Sequence, residues 1–309
     1  MSKSNQAKEF DYLNDDKVVE HLFTEGVLVR LNTRCWQATS SKLREGELKA
    51  NEDVIHGIKT LIDPDSLADI RCFCNMARNT VKRSKSRNRS KAGYSFLNMD
   101  SVVFVPKGIL PWMESRLQEI KAGFDKAVEE FIEAYPKLKK AWKEVDPELY
   151  DEDLYPSPTD LRSKFGIEWM KFVITMPSKS TGILSSAQYQ NEVDQQKKQI
   201  REFLDSALSS ISTEFLGIVN ELKTKAEKGE PMNARRLETI KNFGATFDAL
   251  NITRNQDLKR LVSDCYGLIG TSEKEDFKED SFQSKVKDGM KKITTEFKKS
   301  SSLKRAVDF

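Results

Sequence analysis

The chain has 309 residues, 38% of them hydrophobic and 32% charged, and 51 Lys and Arg against 48 Asp and Glu leave a net charge of +3. That length suffices for one large domain or two modest ones, and a composition rich in charge suits exposed helices better than a dense α/β enzyme. The near balance of charge excludes a bulk pull toward nucleic acid or membrane, so any such binding has to come from local clustering.

In chain order, residues 1–16 read as a disordered or loosely docked leader ahead of an α-rich domain over 17–270. A first strand is expected over 26–37, where Val27, Val29, Leu31, Thr33 and Cys35 alternate with Arg30, Asn32 and Arg34 at the period of two that marks a half-buried strand. A helix is expected over 50–62. Asp63-Pro64-Asp65-Ser66 then supplies a cap and a first-turn proline for another, whose apolar face is Leu67, Ile70, Phe73, Cys74 and Ala77.

The run SVVFVP at 101–106 predicts a second strand. From Pro111 the apolar positions Leu117, Ile120, Phe124, Ala127, Phe131, Ala134, Leu138, Ala141 and Val145 step by 3 and 4, the heptad pattern of a left-handed coiled coil. Pro136 falls inside that pattern and is expected to break or kink the helix, leaving 112–134 helical and 137–145 a separate or kinked piece. An acidic connector covers 144–158. The third strand, near 165–176, carries apolar residues on both faces and is expected to lie centrally in its sheet, covered on both sides.

The longest predicted element is a helix over 187–228, free of proline, with Ile200, Leu204, Ala207, Ile211, Phe215, Ile218 and Leu222 at an eleven-residue spacing. About 40 helical residues span about 60 Å, so the stripe calls for a second long helix, and 112–134 is the natural candidate. Ile200, Leu204, Ile211, Phe215, Ile218 and Leu222 are therefore the candidate helix-interface residues. Pairing within the chain, with a second copy, or with another protein all satisfy the stripe. Further helices are expected at 233–250 and 255–269, and residues 271–309 read as a charged linker, an amphipathic segment at 281–299 and a basic tail. The fold class is α+β, predominantly α, with a long helical hairpin or stalk beside a small antiparallel or mixed sheet.

Catalytic, metal and cofactor signatures are not evident in the sequence. His21 and His56, the two histidines, lack ligand spacing to Cys, Asp or Glu, and no glycine-rich phosphate loop or nucleophile elbow occurs. Cys72 and Cys74 are one residue apart, while Cys35 and Cys265 are solitary, which is neither a metal knuckle nor a disulfide framework; a reduced, cytoplasmic compartment is expected. No stretch approaches the roughly 18 consecutive apolar residues of a membrane span, and the N-terminal segment lacks the apolar run of a signal peptide. No catalytic residue, metal, cofactor or small-molecule substrate is therefore assigned, and a non-enzymatic protein is expected.

One cluster does suggest binding. Lys82, Arg83, Lys85, Arg87, Arg89 and Lys91 lie together without an acid, and Tyr94 and Phe96 follow. Six cations meeting phosphates give a salt slope on the order of −4 to −5, and the two aromatics would add stacking on single-stranded bases. The alternative is a basic loop that pairs with the acidic 144–153 connector or with a partner's acidic surface.

The segments LNTRCWQATSSKL, DPDSLADIRCFCNMARNTVKR, VVFVPKGILPWMESRLQEIKAGFDKAVEEFIEAY and KFGIEWMKFVITMP resemble, in that order, a domain-of-unknown-function family of bacteria and their phages, over roughly residues 15–250. Members are often encoded beside a MoxR-type AAA ATPase and a cobaltochelatase-like protein with a von Willebrand factor A domain. No catalytic residues are assigned there. The resemblance implies an accessory or adaptor role near an ATPase machine, in the cytoplasm of a bacterial or phage-infected cell.

Overall fold

The computed structural model describes residues 12–40, 59–81, 93–97, 99, 101–145, 147, 150–175, 185–270, 272–273 and 276–307. The fold is α+β and mostly α. The chain separates into two compact units. Unit 1 comprises Met1–Val29, Lys82–Pro111 and Lys171–Phe309, and unit 2 comprises Arg30–Val81 and Trp112–Met170. The segment after residue 271 belongs to unit 1.

Unit 1 is organised on the long helix α5 (Ser186–Lys228). Its start is fixed by a capping box, in which Ser185 accepts from the Gln188 amide while the Gln188 side chain accepts from the Ser185 amide. Its end is fixed by Gly229, whose φ of 63° closes the last turn on the Lys225 carbonyl. Ile200, Leu204, Ala207, Ile211, Phe215, Ile218 and Leu222 are all buried, so the eleven-residue spacing identifies the inward face. Within unit 1 their cover includes the segment expected to be amphipathic, at 281–299, and part of the expected basic tail. Helices α8 (Asp280–Lys299) and α9 (Ser301–Val307) pack along α5. Val286, Met290, Ile293 and Phe297 of α8 are buried at steps of 4, 3 and 4, the stripe that a flanking helix needs.

Helices α6 (Ala234–Leu250) and α7 (Gln256–Ile269) complete this bundle. They approach closely at Gly244, where an added Cβ would fall 1.9 Å from the Tyr266 ring, and the Gly244 amide donates to Tyr266 Oη at 2.6 Å. The turn between them is held by two buried asparagines. Asn251 Oδ1 accepts from the Asn255 amide at 3.0 Å, and Asn255 Oδ1 caps α7 by accepting from the Leu258 amide at 2.9 Å. At the other end of the unit, Phe203 of α5 meets Phe96 and Phe104 at 5.0 and 5.6 Å between ring centroids. Leu22 of helix α1 (Val18–Glu25) and Leu28 belong to the same core. Part of the expected leader is docked here: Tyr12 is buried and donates to Asp205 at 2.7 Å, and Arg201 donates to the Tyr12 and Asp15 carbonyls.

Unit 2 is built on α2 (Ala68–Val81) and α3 (Leu110–Val145), of which Leu110 and Pro111 belong to unit 1. The expected start signal before α2 is used: Asp63 accepts from the Asp65 amide at 3.0 Å over a 3-10 turn, Pro64–Leu67. Helix α3 is one continuous element with Pro136 inside it, where a break or a kink was expected; the helix does not break. Anchors on either side of the proline hold the helix together: Tyr135 is buried and donates to the Pro156 carbonyl at 3.2 Å, and Trp142 Nε1 donates to the Thr60 carbonyl at 3.0 Å. The buried positions of α3 are Met113, Leu117, Ile120, Phe124, Val128, Phe131 and Tyr135. They step by 4, 3, 4, 4, 3 and 4, so the face that is used follows the eleven-residue spacing and not the strict heptad; Ala141 and Val145 are exposed.

The acidic connector folds back on α3. Lys139 and Tyr150 both donate to Glu152, Tyr155 donates to the Leu61 carbonyl at 2.6 Å, and Tyr150 stacks on Tyr155 at 5.1 Å. A short α4 (Pro158–Ser163) follows, capped by Ser157.

The four-stranded sheet has the order β4-β5-β1-β6, formed by Tyr94–Ser95, Val102–Pro106, Gly26–Arg34 and Gly166–Phe172 respectively. β4 pairs antiparallel with β5, Tyr94 opposite Phe104. Strands β1 and β6 each pass from one unit into the other. A second, two-stranded sheet pairs β2 (Thr39–Ser40) with β3 (Lys59–Thr60). The expected 50–62 helix is therefore not what residues 59–60 form, and residues 50–58 lie outside the described set. Among the described residues no helix is long and apolar enough to cross a membrane.

Candidate functional site

The expected helix-interface residues come together, but inside the molecule. Ile200, Leu204, Ile211, Phe215, Ile218 and Leu222 are each 4% exposed or less, so the stripe is already consumed by the chain's own packing. The expected nucleic-acid cluster divides. Lys82, Arg83, Lys85, Arg87, Arg89 and Lys91 lie outside the described residues. Tyr94 and Phe96 are core residues: Phe96 is fully buried against Phe203, and the Tyr94 hydroxyl donates to the Leu250 carbonyl at 2.7 Å. Enclosed rings offer no face to a base. Tyr94 opens the two-residue strand β4 and Phe96 follows its end, a strand too short for its pattern to announce it.

The surface that does expose apolar side chains is β6. The strand was expected to be central, yet it is outermost among the described strands of its sheet. Its two-sided apolarity has another origin. Ile167 is buried, Phe172 and Ile174 pack on the aromatic core of unit 1, and between and beyond them Met170 and Val173 stay 59% and 50% exposed. Neighbouring positions are polar: Glu168 and Lys171 are exposed, and Glu168 receives Arg34 Nη2 of β1 at 2.6 Å. That ion pair is half exposed on both sides and worth at most about 1 kcal/mol. An outer strand uses one side of its main chain for its neighbour and presents the other.

A second constellation lies wholly in unit 2, and sequence reading missed it. Cys35 follows β1, and Cys74 sits on α2 between Arg71 and Arg78, which share its face at helical spacing. Arg78 Nη2 donates to Thr33 Oγ1 at 2.7 Å, and Arg71 Nη2 donates to the Gln37 carbonyl at 3.4 Å. The segment Thr33–Gln37 is thereby tied at both ends to the α2 face, which sets Cys35 opposite Cys74. The two thiols are neighbours that act on each other's ionisation, and the Cys35 thiol donates to the Trp36 carbonyl at 3.6 Å. Cys74 is 2% exposed, whereas Cys35 is partly open. The adjacent Cys74 thiol brings the Cys35 thiol down to about 7, helped by the charges of Arg71 and Arg78 against the opposing effect of burial. The adjacent Cys35 thiol, with burial, pushes Cys74 up. Both cysteines are free thiols. No spacing rule connects Cys35 to Cys74, because the link is made by tertiary structure.

Among the described residues, no group of three or more His, Cys, Asp or Glu side chains is placed to hold a metal ion. No curated protein and no solved structure matches the chain. A family model described as "Protein of unknown function (DUF3150)" matches residues 24–283, from the end of α1 through the start of α8. The chain belongs to that family.

Proposed function

We propose that the chain is a non-enzymatic adaptor that binds an extended segment of a protein partner along the outer side of β6. The observation that carries this reading is the exposure of Met170 on the outermost described strand, with Val173 exposed just past its end. Strand addition draws affinity from main-chain hydrogen bonds and specificity from alternate side chains, and the exposed Glu168 and Met170, two residues apart on β6, share one face of the strand. The long stripe of α5 is not the binding element in this reading, since α8 and α9 occupy it. The resemblance to a family encoded beside MoxR-type AAA ATPases supports a component of such a machine as the partner.

The test is to mix the purified chain with a MoxR-type AAA ATPase from the same genome and follow the mass by light scattering after size exclusion. A joint species is expected, and Met170→Asp with Val173→Asp is expected to weaken it at least tenfold while leaving the fold intact, because charge on an edge strand blocks pairing. Absence of a joint species, or one indifferent to both substitutions, contradicts the reading.

A further inference from the structure

We propose that Cys35 and Cys74 form a peroxide-responsive dithiol, in which Cys35 is the attacking sulfur and Cys74 the resolving one. The geometry has three parts. The thiols are neighbours across the junction of the segment after β1 with α2, so a disulfide would bring their sulfurs to about 2.05 Å. The pairs Arg78 with Thr33 and Arg71 with Gln37 fix the two backbones on either side of the thiols. Finally, Cys35 is open enough for a small oxidant to reach, while Cys74 is sealed from solvent. Cys72, two residues from Cys74, is exposed and lies off that face of α2.

The chemistry balances with a hydroperoxide as oxidant. The Cys35 thiolate attacks the outer peroxide oxygen, the O–O bond breaks, and the leaving oxygen takes a proton to depart as an alcohol, or as water from hydrogen peroxide. Cys35 is then a sulfenic acid. The Cys74 sulfur attacks the Cys35 sulfur, the S–O bond breaks, and the oxygen leaves as water with the proton that Cys74 gives up. Two electrons pass from the two sulfurs to the peroxide, and a thiol reductant reverses the change by exchange. The two guanidinium groups stabilise the negative sulfur and the negative oxygen that leaves, which is the electropositive setting of reactive thiols. A disulfide here would join the segment after β1 to α2 by a covalent tie.

The experiment uses the full chain and hydrogen peroxide, followed by alkylation and mass mapping of all four cysteines. A Cys35–Cys74 linkage that forms within one molecule and disappears with dithiothreitol is expected. Cys74→Ala is expected to leave Cys35 as a sulfenic acid that dimedone traps, and Arg71→Gln with Arg78→Gln is expected to slow Cys35 oxidation about tenfold without changing Cys72. The linkage in the unaltered chain needs no variant, so a folding defect in Cys74→Ala does not obscure the answer. Oxidation confined to Cys72, or Cys35 driven to sulfinic acid with no linkage to Cys74, overturns the proposal.

Discussion

Gly244 and Tyr266 show how little room single residues have in unit 1. A methyl group at position 244 would overlap the Tyr266 ring, whose hydroxyl is also the acceptor for the Gly244 amide. Gly244→Ala is therefore expected to cost about 1–3 kcal/mol from overpacking, although alanine is the better helix former at an open site. Thermal unfolding of the variant checks this; an unchanged or raised midpoint would mean that α6 and α7 do not approach at that point. Cys35 gives a second residue-scale expectation. Its folded thiol ionises lower than a free one, near 7, so the reactive thiolate is present above that pH and is lost as pH falls through it. The rate of Cys35 alkylation is expected to rise through about pH 7 and level off, where an ordinary thiol is still rising toward about 8.5. A rise centred on the ordinary value would show that Cys74, Arg71 and Arg78 do not act on it.

Among the elements, helices were legible and their partners were not. The burial face of α5 follows from its eleven-residue spacing because period is a local property. The Asp63-Pro64 start was legible for the same reason, and the bounds of α6, α7 and α8 agree with the expected ones within a residue. Pro136 misled because the lost hydrogen bond is a local cost, while the anchoring of Tyr135 and Trp142 is tertiary. Strand β6 misled because apolar residues on two faces look the same in a central strand and in one whose ends bury opposite faces. The Cys35–Cys74 pairing and the cover of α5 by α8 both depend on chain-distant contacts, which no window of sequence contains. The internal cover changes what substitutions in the stripe should do. Phe215→Ala is expected to cost about 3–5 kcal/mol of folding stability, and Ile211→Asp more, through a buried unpaired charge. Chemical denaturation would reveal it, and loss of partner binding with stability unchanged would restore α5 as the interface.

For the whole molecule, the central claim is that the apolar stripe of α5 is closed by α8 and α9 of the same chain, which leaves binding to other surfaces such as β6. Light scattering after size exclusion, over a dilution series of the chain alone, tests it most directly. A single species at the chain mass of 35.4 kDa, independent of concentration, is the expected result. A dimer that persists on dilution and that Phe215→Ala dissociates into folded monomers would contradict it, because the stripe would then be closed between molecules.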